Sequence, residues 1–301
     1  MNRTTLLLSA VLLGLLSTAW ISAAEPDNAR MPNAFYAMDT AFSRPGLTLE
    51  QQLDLVAHLG YAGIAWTETP PDKALAVAQQ AEKRGLKMFT IYCGATATPQ
   101  GELTCSPQIV PLMKALKGHG TILWLHVGGR GPAFDSLTGS EPLVKKLRSL
   151  ADEAAANDLR IAIYPHVGEW TARFGDATKL ARLVDHPHFG VCFNLCHALA
   201  MGDETRIVSL LEAARPVLFT VTINGADGGV GKPDWGRLIR TLDQGTFDVG
   251  IVLRKLREIG FTGPIGFQGY AIPGDSRSVL TPTIQAWRKL SAGKPSGAAQ
   301  K

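Results

Sequence analysis

The chain has 301 residues, 46% of them hydrophobic, and a formal net charge of +4. That length suits one large domain or two small ones around a sizeable core. So small a charge argues against nucleic acid or an anionic membrane as partner, and four cysteines in this length exclude a disulfide scaffold.

Residues 1–24 read as a secretory signal. Arg3 opens it, "LLLSAVLLGLL" is its apolar core, and Ser22–Ala24 form a small-residue cleavage site. Cleavage after Ala24 removes Arg3 and takes the charge from +4 to +3. The mature domain is then expected over 25–292, with a small polar tail, 293–301, expected to be disordered.

Strand-like and helix-like runs alternate from residue 34 onward. "AFYAMDTAF" is the first strand. The helix over 49–60 places Leu49, Leu53 and Val56 on one face, behind a capping box from Thr48 to Gln51. "YAGIAWT" is strand two, followed by a helix from Pro70 to Arg84 that stops at Gly85. "LKMFTIYCG" is strand three, and a proline-broken helix follows at 107–116. "TILWLHVGG" is strand four; the next helix has Ser140 as cap and Leu143, Leu147, Leu150 and Ala154 on one face. "RIAIYPHVG" is strand five, with a helix over 176–186.

"FGVCFNLCHALA", 189–200, is read as strand six, its inward residues running through Cys192, Asn194 and Cys196. A helix spans about 203–214, and "VLFTVTIN" is strand seven. A polar, glycine-rich segment, 225–246, leads to a helix capped by Asp248 and stopped by Gly260. "GPIGFQGYAI" is strand eight, and the last helix covers 278–291. Cys93 and Cys105 have the spacing to close one loop; free buried thiols are the other reading.

Eight strands and eight helices in strict alternation, with near-continuous apolar strands, predict a single (β/α)8 barrel. No glycine-rich phosphate-binding pattern follows the first strand, which argues against an open doubly wound sheet.

In such a barrel the chemistry sits at the C-terminal ends of the strands. Those ends carry Asp39, Thr40, Trp66, Glu68, His126, Arg130, Tyr164, His166, Glu169, Asn194, His197, Asn224, Asp227, Gln268 and Tyr270. Three histidines reach one rim from neighbouring strands, and clustered titratable groups in a cleft mark function. Trp66, Trp170 and Tyr270 offer aromatic faces for a sugar ring, or packing for the rim.

The segments "LGYAGIAW" (59–66), "IYPHVGEW" (163–170), "GVCFNLCHA" (190–198), "LDQGTFDV" (242–249), "LREIGFTGPIGFQ" (256–268) and "PGDSRSVL" (273–280) occur in an order that resembles the xylose isomerase-like TIM barrel superfamily, the sugar phosphate isomerase/epimerase group. The resemblance implies isomerisation or epimerisation of sugars, polyols or keto acids, usually with a divalent metal (Mn, Mg or Zn). It also implies ligands that this chain lacks. The family glutamate on strand five is Tyr164 here, and the aspartate on strand six is Asn194. The glutamate on strand eight is Gln268, that on strand two is Ala65, and strand seven ends without a histidine. Hard dications prefer charged oxygen ligands, so the usual metal is expected to be absent.

His166, Glu169 and His197 are then the expected catalytic groups, with Arg130 or Lys232 available to stabilise charge. Trp66, Glu68, His126, Tyr164, Asn194, Asn224 and Gln268 are the expected contacts to a small-molecule sugar or polyol. A zinc site made of His126, His166 and His197 is the metal alternative. A carbohydrate-binding barrel without catalysis is the functional one; a multi-metal DNA-repair nuclease of the same fold fits poorly. A homo-oligomer is compatible with all of these.

Overall fold

The computed structural model describes residues 30–134, 141–231 and 233–292. The proposed signal, the tail beyond 292, the Ser140 cap and Lys232 lie outside the described residues.

The elements follow in chain order as β1 (Phe35–Met38), α1 (Asp39–Phe42), α2 (Leu49–Leu59), β2 (Gly63–Trp66), α3 (Pro71–Glu82), β3 (Lys87–Ala97), β4 (Leu103–Cys105) and α4 (Ile109–Ala115). Next come β5 (Ile122–Gly129), α5 (Glu141–Ala156), β6 (Arg160–Ile163), α6 (Phe174–Val184), β7 (Phe189–Asn194), α7 (Leu195–Ala200) and α8 (Ile207–Ala214). The chain ends with β8 (Leu218–Ile223), α9 (Trp235–Leu238), α10 (Gly250–Glu258), β9 (Ile265–Phe267) and α11 (Ser276–Ser291). Eight strands pair in parallel around a circle, β1-β2-β3-β5-β6-β7-β8-β9, and β9 returns to β1. This is the (β/α)8 barrel expected from the alternation. No helix among the described residues is long and apolar enough to cross a membrane.

Strand alternation divides the core in two. Outward residues such as Ile64, Leu123, Leu125, Ile161, Ile163, Val191 and Phe193 pack against the helices. Inward residues Tyr36, Met38, Ala65, Ile122, Trp124, Ala162, Tyr164 and Cys192 fill the barrel itself. Tyr36, Trp124 and Tyr164 are fully buried there. Full burial of a large apolar side chain stabilises by roughly 1.5–3 kcal/mol. The Tyr36 hydroxyl and Thr220 Oγ1 lie 3.1 Å apart, whereas Trp124 Nε1 is buried without a hydrogen-bond partner among the described residues.

Helix ends follow local chemistry. The Thr48 hydroxyl accepts from the Gln51 N–H (3.3 Å), and the Gln51 side chain accepts from the Thr48 N–H (2.9 Å), completing the expected capping box. Asp248, the expected cap of α10, accepts the Gly250 N–H through Oδ1 (2.9 Å), but the helix's N-cap is Val249, one residue later.

Four local expectations are corrected. The first strand ends at Met38, because Asp39 Oδ1 takes the Thr40 N–H (2.8 Å) and the chain closes into the single turn α1. The sixth barrel strand ends at Asn194; the helix-forming run "LCHALA" becomes α7, so Cys196 is not an inward strand residue. β4 folds back antiparallel on β3, pairing Ala95 with Cys105, where no strand was expected. All four cysteines are free thiols, including Cys93 and Cys105.

Candidate active site

A cavity of about 460 Å³ opens at the C-terminal ends of the barrel strands. Its walls carry His126, His166, His197 and Glu68, and its floor includes Tyr164 and Gln268. The three histidines expected at one rim therefore do share one cavity.

The floor is a neutral hydrogen-bond network. Asn194 Nδ2 and Gln268 Nε2 both donate to the Tyr164 hydroxyl, the latter over 3.4 Å. The Cys196 thiol donates to Asn194 Oδ1 (3.0 Å). Gln268 Oε1 accepts from the Thr40 hydroxyl (2.9 Å) and from the Tyr270 N–H (3.1 Å). Burial holds the Tyr164 phenol well above its usual pKa, so it stays protonated. Both amide oxygens are already taken by donors, and no member of the set carries charge. This donor set does not fit a hard dication. No group of three or more His, Cys, Asp or Glu among the described residues has the arrangement of a metal site, His126, His166 and His197 included.

One wall is a histidine held between carboxylates. His126, on β5, meets Glu169 through Nδ1 and Oε1 at 3.0 Å. That hydrogen bond raises the His126 pKa above its ordinary value, against partial burial, with Glu169 and Glu68 adding charge attraction. Glu169 Oε2 is buried without a hydrogen-bond partner among the described residues. Gly94 on β3 makes room for this group: a Cβ there would lie 3.0 Å from His126 Nε2 and 3.7 Å from a Glu68 carboxylate oxygen.

The adjoining wall pairs two imidazoles. His166, in the loop after β6, lies 4.4 Å from His197, on α7, between ring centroids. His166 is half-exposed, with Nδ1 4.0 Å from Glu169 Oε1. His197 is buried, edge-on to Trp235 (5.4 Å) and Tyr164 (5.9 Å). Burial, reinforced by the neighbouring His166, pushes its pKa down to about 3, so the ring is neutral.

Several expected contacts fall elsewhere. Ala65 takes the inward position on β2, so Trp66 points outward and packs near Phe42 (6.2 Å). Asn224 turns its amide to the carbonyls of Gly225 and Leu238 (both 2.7 Å), tying down the loop after β8. Trp170 stacks on Phe134 (4.8 Å) and donates to the Pro132 carbonyl (3.0 Å). Arg130 is exposed, and the cavity lining does not include it. Asn194 lies beneath the cavity and shapes its floor through Tyr164.

Conversely, Tyr92, Thr67, Trp235 and Ile239 line the cavity and were not anticipated. Tyr92 was findable: it stands two residues before Gly94 on a barrel strand and pairs with the inward Trp124. Trp235 lies in the glycine-rich segment, where no periodicity marks a face.

A model of the xylose isomerase-like TIM barrel family matches residues 53–288. No curated protein sequence matches the chain. Among solved structures, the IOLI protein with a binding zinc atom superposes with a TM-score of 0.66 at 18% identity, covering 86% of this chain and 96% of that one. D-allulose 3-epimerase from Methylomonas sp. gives 0.65 at 14% identity, covering 88% and 99%. A xylose isomerase-like TIM barrel/4-hydroxyphenylpyruvate dioxygenase fusion protein gives 0.63 at 18% identity; this chain, 86% covered, spans only 42% of its length. At these identities the structural likenesses establish the fold, and the family follows from the sequence model. The chain belongs to the xylose isomerase-like TIM barrel family.

Proposed function

We propose that this chain is a sugar isomerase or epimerase that moves a proton next to a carbonyl without the divalent metal usual in its family. One observation carries the reading: His126, His166 and Glu68 line one cavity with His197, Glu169 bonds His126 from behind, and a neutral Tyr164–Asn194–Gln268 floor stands beneath. Such chemistry needs a base and a stabiliser for the developing enediolate. His166 is the base, and Glu169, with Oε1 4.0 Å from its Nδ1, offsets the charge it gains. His126, its pKa raised by Glu169, is the cationic partner for developing negative charge. Tyr270, Trp235 and Thr67 supply the aromatic and hydroxyl contacts that a sugar ring uses. Similarity to an epimerase acting on D-allulose supports the substrate class. Residues 1–24 are proposed to direct export, which N-terminal sequencing of the secreted protein tests.

The neutral floor also favours a second reading, a binding barrel that holds sugars without turning them over. Amides and phenols hydrogen-bond hydroxyls without a metal. Incubation of chelator-treated protein with a panel of aldoses and ketoses in D2O separates the two. Deuterium entering at the carbon beside the carbonyl, with no metal added, supports the enzyme. Sugar binding without exchange supports the binding barrel, and exchange that depends on stoichiometric metal overturns the metal-free proposal.

A further inference from the structure

His166 to Glu169, "HVGE", is a tight turn. The Glu169 N–H donates to the His166 carbonyl over 3.1 Å, and Gly168 sits at φ +90°. A positive φ at the third position is the mark of a type II turn, and it is glycine's natural place. The turn's own hydrogen bond uses neither the N–H nor the carbonyl of its second residue. Here both ends of Val167 reach histidines. The Val167 N–H donates to His197 Nδ1 over 3.3 Å, and the Val167 carbonyl lies 2.9 Å from His166 Nδ1.

Backbone chemistry decides the protons. An N–H can only donate, so His197 Nδ1 is bare and its proton sits on Nε2. A carbonyl oxygen can only accept, so His166 Nδ1 carries the proton and its Nε2 is bare in the neutral ring. The geometry points to a single residue, Val167, whose N–H and carbonyl hold two neighbouring imidazoles in opposite tautomers, so that the pair offers one acceptor and one donor nitrogen to an uncharged α-hydroxy-carbonyl compound.

This inference rests on the proposed isomerase reading and gives its two histidines distinct roles. His166 Nε2 removes the proton from the carbon beside the carbonyl. The C–H bond breaks, an N–H bond forms, and the electron pair becomes the enediolate C=C as the carbonyl pair moves onto oxygen. His197 Nε2–H donates a hydrogen bond to that oxygen without losing its proton. The imidazolium formed on His166 faces Glu169 Oε1 at 4.0 Å, which offsets its charge. Return of the proton to the former carbonyl carbon, with the hydroxyl proton passing from its own oxygen to the former carbonyl oxygen, gives the isomer, and His166 is neutral again. Val167 touches neither reacting atom: it is a positioning residue.

Long-range 1H–15N correlation spectra of the uniformly 15N-labelled protein at about pH 8, where an ordinary histidine near 6.5 is neutral, read each ring nitrogen directly. The expected result is a bare Nδ1 in His197 and a bare Nε2 in His166. The same tautomer in both rings, or a protonated Nε2 in neutral His166, overturns the inference whether or not any sugar is turned over. Val167→Pro supplies the positioning test. Proline suits the second position of a type II turn, keeps the carbonyl and deletes only the N–H. His197 is then expected to show a mixture of tautomers while His166 keeps its own. An unchanged His197 in a folded variant shows that the Val167 N–H does not set it. Failure of the D2O exchange screen with the two tautomers in place overturns the isomerase reading alone.

Discussion

Lowering the pH should unfold this protein partly through one buried ring. His197 is neutral in the fold, with its pKa pushed down to about 3 by burial and by His166, and titrates near 6.5 once exposed. The unfolded chain therefore binds a proton that the folded chain refuses, and stability falls as pH drops from 6.5 towards 3. Each pH unit in that window costs about 1.4 kcal/mol, so a descent to about pH 4 removes roughly 3 kcal/mol. That is a large share of a domain's net stability, about 5–15 kcal/mol. His126 works in the opposite sense. Its folded pKa is raised, so its contribution is present at low pH and fades as pH rises through that folded value. A comparison with His197→Gln isolates the buried ring, because glutamine keeps an amide donor near the Nε2 position and cannot titrate in this range. Urea unfolding of both proteins at about pH 7 and about pH 4 should show the wild type losing about 3 kcal/mol more than the variant. Equal losses would refute a desolvated, neutral His197 and, with it, the view that α7 delivers an uncharged donor to the cavity.

Three further outcomes follow from the walls. Glu169→Gln removes the carboxylate that holds His126 up, so the His126 titration followed by NMR should move down, and exchange activity should fall by about 10²–10⁴-fold if acid–base catalysis is at stake. Gly94→Ala places a methyl 3.0 Å from His126 Nε2 and should cost activity far more than stability, measured as kcat against urea midpoint. Tyr270→Ala should weaken sugar affinity, whereas Trp66→Phe, on the outer face of β2, should leave affinity unchanged while lowering stability by about 1 kcal/mol.

The barrel was legible in the chain because its signal is repeated. Eight apolar runs, each followed by an amphipathic helix, leave few other architectures, and the Thr48–Gln51 cap is visible in the letters alone. The site was legible only where strand register reaches it. Tyr164 and Gln268 lie on or just past barrel strands, and counting alternate positions brings them inside. Trp66 failed because its strand ends there: Ala65 occupies the inward position, and the larger, more conspicuous side chain faces the helices. Asn224 failed for a different reason. Its amide is captured by the Leu238 carbonyl, which is remote in sequence and comes from a segment with no periodicity. The tautomer pair was out of reach altogether, since it depends on a turn geometry that places His166 and His197, 31 positions apart, against one residue, Val167.

The floor makes one more argument, about charge. Carboxylates around a dication balance it, but the same carboxylates without the ion would be buried and unpaired. Tyr164, Asn194 and Gln268 are all neutral, so no charge is left to compensate. Restoring a single acid breaks that balance. Gln268→Glu places a carboxyl at a position only 5% exposed, above Tyr164 and beside Thr40. Desolvation should raise its folded pKa by about 2–3 units, a cost near 3–4 kcal/mol at neutral pH. Because the folded value lies above the unfolded one, stability should be intact in acid and lost as pH rises from about 4.3. The cost should show in urea midpoints that fall between about pH 4 and about pH 7, a trend absent from the wild type's own difference. Manganese should not rescue this variant, since one carboxylate with two amides remains a poor site. Rescue should require Asn194→Asp and Tyr164→Glu as well. A single Gln268→Glu protein that binds manganese tightly and gains stability from it would show that the floor has kept a metal-ready shape, and that its neutral network is not what keeps the ion out.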